Sequence, residues 1–160
     1  MRIIQVQTSR DIEDAERLFV EYAESLGFDL SFQDFDAELA DLSGHYAPPL
    51  NCLLLARVDG HAVGCVAMKR FDEGICEMKR LYVRPGHRGF GIGKALCNAV
   101  IEAARQAGHE RMRLDTVLPR DAAMGLYYSL GFENIEPYRY NPMKNAAYLE
   151  LRLRQISPGT

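Results

Sequence analysis

The chain has 160 residues, enough for one domain with a sound core, and its 48% hydrophobic and 26% charged content is ordinary for a soluble globular protein. A net charge of −3 gives no electrostatic case for nucleic-acid binding, and no apolar run approaches the ~20 residues of a membrane span. Its four cysteines, Cys52, Cys65, Cys76 and Cys97, form no C-x-x-C pair and no zinc spacing; they read as buried free thiols.

Ile3 to Gln7 reads as a first strand. Thr8 or Ser9 caps a helix through about Leu26, with Asp11, Glu13 and Asp14 near its positive end. Ile12, Ala15, Leu18, Tyr22 and Leu26 form its apolar face, and Gly27 stops it. A second helix is expected from about Ser31, with Phe32, Phe35, Leu39 and Leu42 on one side, and Ser43 to Pro49 is loop by composition. Asn51 to Val58 and His61 to Arg70 are strands joined by the hairpin signal Asp59-Gly60. Phe71 to Gly74 turns the chain into a strand from Ile75 to Val83. The next helix runs to about Ala107, with Gly108 as its cap. A strand at Arg111 to Thr116, a short helix from Arg120 or Asp121 through Leu130, and late strands at Phe132 to Tyr138 and Ala146 to Leu153 complete the pattern.

This order predicts an α/β (α+β) fold, a mixed central sheet flanked by helices, in one domain over residues 1–155 with a frayed tail at 156–160. The strands at Ile75 to Val83 and Arg111 to Thr116 are expected to be parallel, joined by a right-handed crossover. The N-terminus has no signal-like apolar block, and thiols of this kind suit a reducing compartment, so the cytoplasm is the expected location. His45, His61, His87 and His109 are scattered and read as surface or structural.

The most informative stretch is Arg84-Pro85-Gly86-His87-Arg88-Gly89-Phe90-Gly91-Ile92-Gly93-Lys94, between a strand and a helix. Glycines let backbone N–H groups turn outward and crowd a ligand. The first N–H groups of a helix lack internal partners, and the helix dipole is positive there. Together these make an anion site, most often for phosphate. A P-loop would need a hydroxyl where Ala95 stands and a glycine where Arg88 stands. A dinucleotide fingerprint would need its third glycine in a different register.

Arg88-x-x-Gly91-x-Gly93 instead matches the [Q/R]-x-x-G-x-[G/A] pattern that follows a strand in acyl-CoA-dependent N-acetyltransferases. The strand from Glu77 to Val83 and its exit Arg84-Pro85 also fit. Leu126-Tyr127-Tyr128-Ser129-Leu130-Gly131-Phe132 looks like the L-Y-x-x-x-G-F segment of the same family. The chain therefore resembles the GNAT superfamily of N-acetyltransferases, well over roughly residues 50 to 153 and loosely before that. The resemblance implies acetyl-CoA as cosubstrate and no metal. It places a pyrophosphate on the backbone of Arg88, Gly89, Phe90, Gly91, Ile92, Gly93 and Lys94. It lays pantetheine along Leu81, Tyr82 and Val83, between two strands that splay apart, with an oxyanion donor near Leu81 at a kink. Members commonly carry an asparagine where this chain has Arg120 or Asp121, and neither residue is assigned that contact.

Acetyl transfer to an amine needs a base, because a free alkylamine has a pKa near ~10.4, and an acid for the departing thiolate. Glu77, a carboxylate among apolar strand residues, is the candidate base, acting through a water; its alternative is a salt bridge to Lys79 or Arg80. Glu73 and Asp115 are poorer candidates. Tyr127 is the candidate acid and also a cofactor contact; its alternative is packing. The acceptor pocket is expected from residues before Asn51 and from the Tyr138–Met143 loop; Tyr22, Phe28, Phe32 and Tyr46 could line one side and Tyr138 and Tyr140 the other, though each reads first as core or packing, as do Met124 and Met143. A mildly acidic protein suits a cationic amine, a weak indication at this charge. The expected function is an N-acetyltransferase moving acetyl from acetyl-CoA to a primary amine by direct attack. Its rivals are an acyl-CoA-binding sensor without turnover and a nucleotide-binding phosphotransferase. The expected partners are a small-molecule or peptide amine, with no nucleic acid and no membrane, and the resemblance implies a homodimer.

Overall fold

In a computed structural model, residues 1–27, 29–30, 34–118 and 121–153 are described. Strand β1 (Arg2–Gln5) leads into helix α1 (Ser9–Leu26), followed by α2 (Phe35–Ala40) and α3 (Leu42–His45). Strands β2 (Cys52–Val58), β3 (His61–Asp72) and β4 (Ile75–Val83) come next. A 3-10 turn at Pro85–His87 precedes α4 (Ile92–Gln106). The chain closes with β5 (Arg111–Val117), α5 (Asp121–Ser129), β6 (Glu133–Asn134) and β7 (Ala146–Arg152). The strands form one sheet in the order β1-β2-β3-β4-β5-β7-β6. All neighbours are antiparallel except β4 and β5. The expected mixed sheet, and its parallel pair, are therefore present.

Helices cover both faces. Leu54, Val66, Met68, Met78 and Met112 meet Leu96, Val100 and Ala104 of α4 in one core. Leu53, Leu55, Cys65 and Ala67 meet Ala15, Leu18 and Phe19 of α1 in the other. Alternate residues of β2 thus enter opposite cores, which explains why its sequence is continuously apolar instead of alternating. The Thr8 side chain caps α1 in a reciprocal box with Asp11, and Gly27 ends the helix in the left-handed region. Asp59 and Gly60 both have positive φ, as the two-residue hairpin requires.

Three local expectations change. The second helix begins at Phe35, after Asp34 in left-handed conformation; Ser31 and Phe32 lie outside the described residues. A helical turn occupies Leu42–His45 within the expected loop, because the Asp41 side chain accepts from Gly44 N at 3.2 Å and caps it. The strand expected at Phe132 to Tyr138 shrinks to Glu133–Asn134, with one further bond from Ile135 N to Tyr148 O at 2.9 Å. Pro137 cannot donate to a ladder, and Tyr138 is drawn inward to Glu77. Residues 154–160, including the tail, lie outside the described residues.

Candidate active site

Pairing between β4 and β5 covers only Ile75 to Glu77 against Arg111 to Arg113. Beyond Glu77 and Arg113 the two strands part. The cause lies in β4, whose register against β3 shifts between Cys65 and Ala67. Arg80 stands at that bulge with φ 61°, rare for a residue with a side chain. Its carbonyl is satisfied by the Cys65 thiol at 3.3 Å. Its guanidinium donates to Glu38 of α2 at 2.8 and 3.0 Å. Glu38 also accepts from the Tyr46 hydroxyl at 2.7 Å. Tyr46, a possible pocket residue that reads first as core, is 1% exposed and holds this ion pair in the core.

Downstream of the parting, the glycine loop meets α4. Gly89 and Gly91 have φ 86° and 82°, and Gly91 is the N-cap of α4 with no side-chain cap. The first amides of α4, from Ile92 to Lys94, therefore point outward without helical partners. A second lock steadies the strand exit: Arg84 donates to Glu21 of α1 at 2.8 Å and to Ala62 O at 2.9 Å. Arg88 is turned back onto β4, its Nε donating to Val83 O at 2.8 Å and its guanidinium lying 5.7 Å from the Tyr82 ring centre. The Val83 carbonyl, expected on pantetheine, is thus already engaged.

A groove of about 890 Å³ joins these parts. It is lined by Leu81, Tyr82 and Val83, by the loop from His87 to Lys94 except Phe90, and by Asp121 and Leu126 near or on α5. Phe90 stands 78% exposed beside it. Two lining residues, His87 and Met143, were expected only at the surface or in packing. Nothing in local sequence signalled them; the loop and the 135–145 segment bring them to the rim. His87 Nδ1 is buried with no hydrogen-bond partner. Arg120, one of the two candidates for the missing asparagine, lies outside the described residues.

Where the strands part, a smaller cavity of about 80 Å³ passes through the sheet. Lys79, Arg80 and Leu81 line one side and Leu114, Asp115 and Thr116 the other. Tyr22 of α1 closes one end, and Ala123 and Tyr127 of α5 the other. Leu81 and Ala123 also line the groove, so the two spaces adjoin. Tyr127 is 7% exposed, with its ring centre 5.7 Å from that of Phe132. Glu77 is 3% exposed and stands one position below the parting. Its carboxylate accepts from the Tyr138 hydroxyl at 2.8 Å and pairs with Arg139 at 3.1 Å and Lys79 at 3.9 Å. Burial and the Glu77 charge together push the Tyr138 hydroxyl far above its ordinary pKa. Of the other aromatic residues expected here, Tyr140 is 77% exposed, and Phe28 and Phe32 lie outside the described residues. Met124 packs in the core as expected.

A glycine loop on a helix start, beside two parting parallel strands, fits a ligand with a diphosphate and a long thin arm. The model of the Acetyltransferase (GNAT) family matches residues 12–132. The chain belongs to the GNAT family of acetyltransferases. This GNAT chain is 42% identical over 153 residues to an uncharacterized N-acetyltransferase of Schizosaccharomyces pombe, covering 94% of each. It is 36% identical over 110 residues to N-acetylaspartate synthetase of Danio rerio, covering 66% of this chain and 39% of the relative. Among solved structures, PaiA N-acetyltransferase of Thermoplasma acidophilum, in complex with coenzyme A, superposes with a TM-score of 0.71 at 17% identity. That match covers 95% of this chain and 99% of the other. The protein is thus an acetyl-CoA-dependent N-acetyltransferase acting on an amine acceptor. No metal-binding cluster of His, Cys, Asp or Glu occurs among the described residues, and no described helix is long and apolar enough to cross a membrane.

Proposed function

We propose that the acetyl group meets a small-molecule primary amine in the gap between β4 and β5, with Tyr127 as acid and Glu77 as base. The amine nitrogen bonds to the acetyl carbon as the carbon–sulfur bond breaks. One amine proton passes through a water to Glu77, and the Tyr127 hydroxyl protonates the departing thiolate. The observation that carries this reading is the end of β4–β5 pairing at Glu77 and Arg113, which leaves a cavity adjoining the groove with Tyr127 in its wall. The loop amides from Gly89 to Lys94 bind the diphosphate, and the backbone of Leu81 to Val83, apart from the Val83 carbonyl held by Arg88, takes its arm. A backbone N–H near Leu81, beside the Arg80 bulge, supports the developing oxyanion. A relative named for N-acetylaspartate supports a small acceptor over a protein one.

A second role for Glu77 is favoured by its partners. A carboxylate held by Tyr138, Arg139 and Lys79 anchors the 138–139 segment over the sheet. Thiol release from acetyl-CoA, measured with Glu77→Gln and Tyr127→Phe, separates the roles. A base gives a hundredfold or larger fall in kcat with loss of the acidic limb of the pH–rate profile and little change in Tm. An anchor gives a lower Tm with the profile unchanged. Tyr127→Phe is expected to lower kcat about 10²-fold, the low end of general-acid contributions, with the KM for acetyl-CoA held within threefold; unchanged turnover removes its role. Stabilisation by acetyl-CoA, but not by ATP or NAD, tests the groove itself.

We propose a homodimer formed through the late strands, tested by light scattering in solution. We also propose a cytoplasmic protein, in keeping with its four buried free thiols.

A further inference from the structure

The gap between β4 and β5 carries two opposite charges that the proton transfers above do not use. Glu77 and Arg113 are the last parallel partners of the two strands. Side chains return to the same face every second residue. Lys79 and Asp115 are therefore the next positions on that face, one per strand, and both line the cavity. In a sheet that stayed paired, neighbouring strands run about 4.8 Å apart and such residues meet. Here the strands have parted, and among the described residues no salt bridge joins Lys79 to Asp115. Lys79 Nζ reaches Glu77 Oε1 at 3.9 Å, too long for a hydrogen bond. Asp115 Oδ2 accepts from Asn141 Nδ2 at 3.0 Å.

We propose that this gap is a binding site for a zwitterion: the acceptor is an α-amino acid or similar small amine bearing a carboxylate, with its carboxylate on Lys79 and its ammonium beside Asp115, the ammonium releasing one proton to solvent before the neutral amine attacks and gives its next proton to Glu77 as above. The assignment rests on the acetyl-transfer reading of the same cavity. The Lys79 side chain is 11% exposed, and burial first, then the neighbouring Arg80 charge, push its pKa down. An enclosed cation of this kind gains from an incoming carboxylate, which restores the partners it lost with water. A second cation stands nearby: Arg139 pairs with Glu77, and its buried Nε has no hydrogen-bond partner. Lys79 and Arg80 in the cavity wall repel a polycation, despite the net negative charge of the chain. A cavity of about 80 Å³ suits the compact end of an amino acid. A carboxamide keeps the amine and the shape but loses the charge that Lys79 would read.

The test compares glycine, L-alanine and L-aspartate with their own α-carboxamides, and with putrescine, by thiol release at saturating acetyl-CoA. The free acids are expected to exceed their amides at least tenfold in kcat/KM, chiefly through KM. Lys79→Met should erase that preference, and Lys79→Arg should retain part of it. Amides or putrescine equal to or better than the free acids in the wild-type protein would overturn the proposal. So would a preference that survives undiminished in Lys79→Met. If Lys79→Met fails to fold, the wild-type pairs decide alone. Calorimetric titration of the same pairs into the protein with coenzyme A present gives a readout independent of turnover. Selective binding of the free acids without thiol release supports the site and counts against acetyl transfer there; binding without selectivity, or none, overturns the site itself.

Discussion

Arg80 and Glu38 form a two-point ion pair, Nε to Oε2 at 3.0 Å and Nη2 to Oε1 at 2.8 Å, with both side chains no more than 3% exposed. The pair links the strand residue at the bulge to α2. The guanidinium also lies 5.4 Å from the Phe35 ring centre and 6.0 Å from that of Tyr22. The kink that parts β4 from β5 is therefore held from outside the strand. A buried pair of this kind fixes geometry more than it adds stability, since desolvation offsets much of the attraction.

Breaking that pair on one side should be worse than removing both sides. Glu38→Gln and Arg80→Met are each expected to cost about 3–5 kcal/mol, because each leaves one charge buried without its partner. The double change Glu38→Met with Arg80→Met should cost less than either single one. Urea denaturation measures all three, and affinity for acetyl-CoA should fall in each as the bulge relaxes.

Gly91 and Gly86 make a matched pair of loop substitutions. Gly91 has φ 82°, and an added Cβ meets no atom within 4 Å, so Gly91→Ala costs backbone strain alone. That strain is about 1–2 kcal/mol, and it should appear as weaker acetyl-CoA binding together with lower stability. Gly86 carries no positive φ and its Cβ position is also open. Gly86→Ala should be neutral in both thermal shift and binding.

The four thiols should be silent in the native protein. Burial pushes Cys52, Cys76 and Cys97 up to about 12, and Cys65 higher still. At pH 8 a thiol reagent should modify fewer than one cysteine per chain over minutes, and all four after denaturation. Rapid native labelling would contradict the buried placement. Silence also makes colorimetric detection of released coenzyme A practicable without background.

Acid should weaken the fold in a defined window. Burial alone would raise the Asp11 pKa, but the hydrogen bond from Arg57 and those from Gln7 N and Thr8 N outweigh it and hold it at about 2, against 3.8 unpaired. A depressed carboxylate contributes stability that is present above the unfolded pKa and lost as pH falls through the folded one. The contribution is on the order of 2 kcal/mol and should disappear between about pH 4 and about pH 2. Asp11→Ala should flatten the denaturation profile over that window and lower stability at neutral pH.

Much of the frame was legible in the sequence because it rests on local rules. The Thr8 cap, the Gly27 stop, the Asp59-Gly60 hairpin and the apolar runs of β2 to β4 each follow from neighbours within a few residues. The glycine loop before α4 was equally plain, since backbone freedom and an open helix start are properties of a short segment. The late strand failed where Pro137 and the pull of Glu77 on Tyr138 outweighed its β-forming residues. Arg139 and Met143 gave no local signal, because their places depend on a segment folding back across the sheet, and His87 gave none because its place depends on how the loop turns against the groove.

By itself, the order of residues determined the elements, the mixed sheet and the glycine loop before α4 of this GNAT protein, since periodicity, capping and glycine placement act over a single turn or strand. Only the tertiary structure decided what stands around the gap. The left-handed bend at Arg80 breaks the register that pattern alone would continue, and Glu38, 42 residues away, holds it. The same parting leaves Lys79 and Asp115 in the wall of one cavity with no salt bridge between them, a relation that comes from three-dimensional register and that no spacing along the chain encodes.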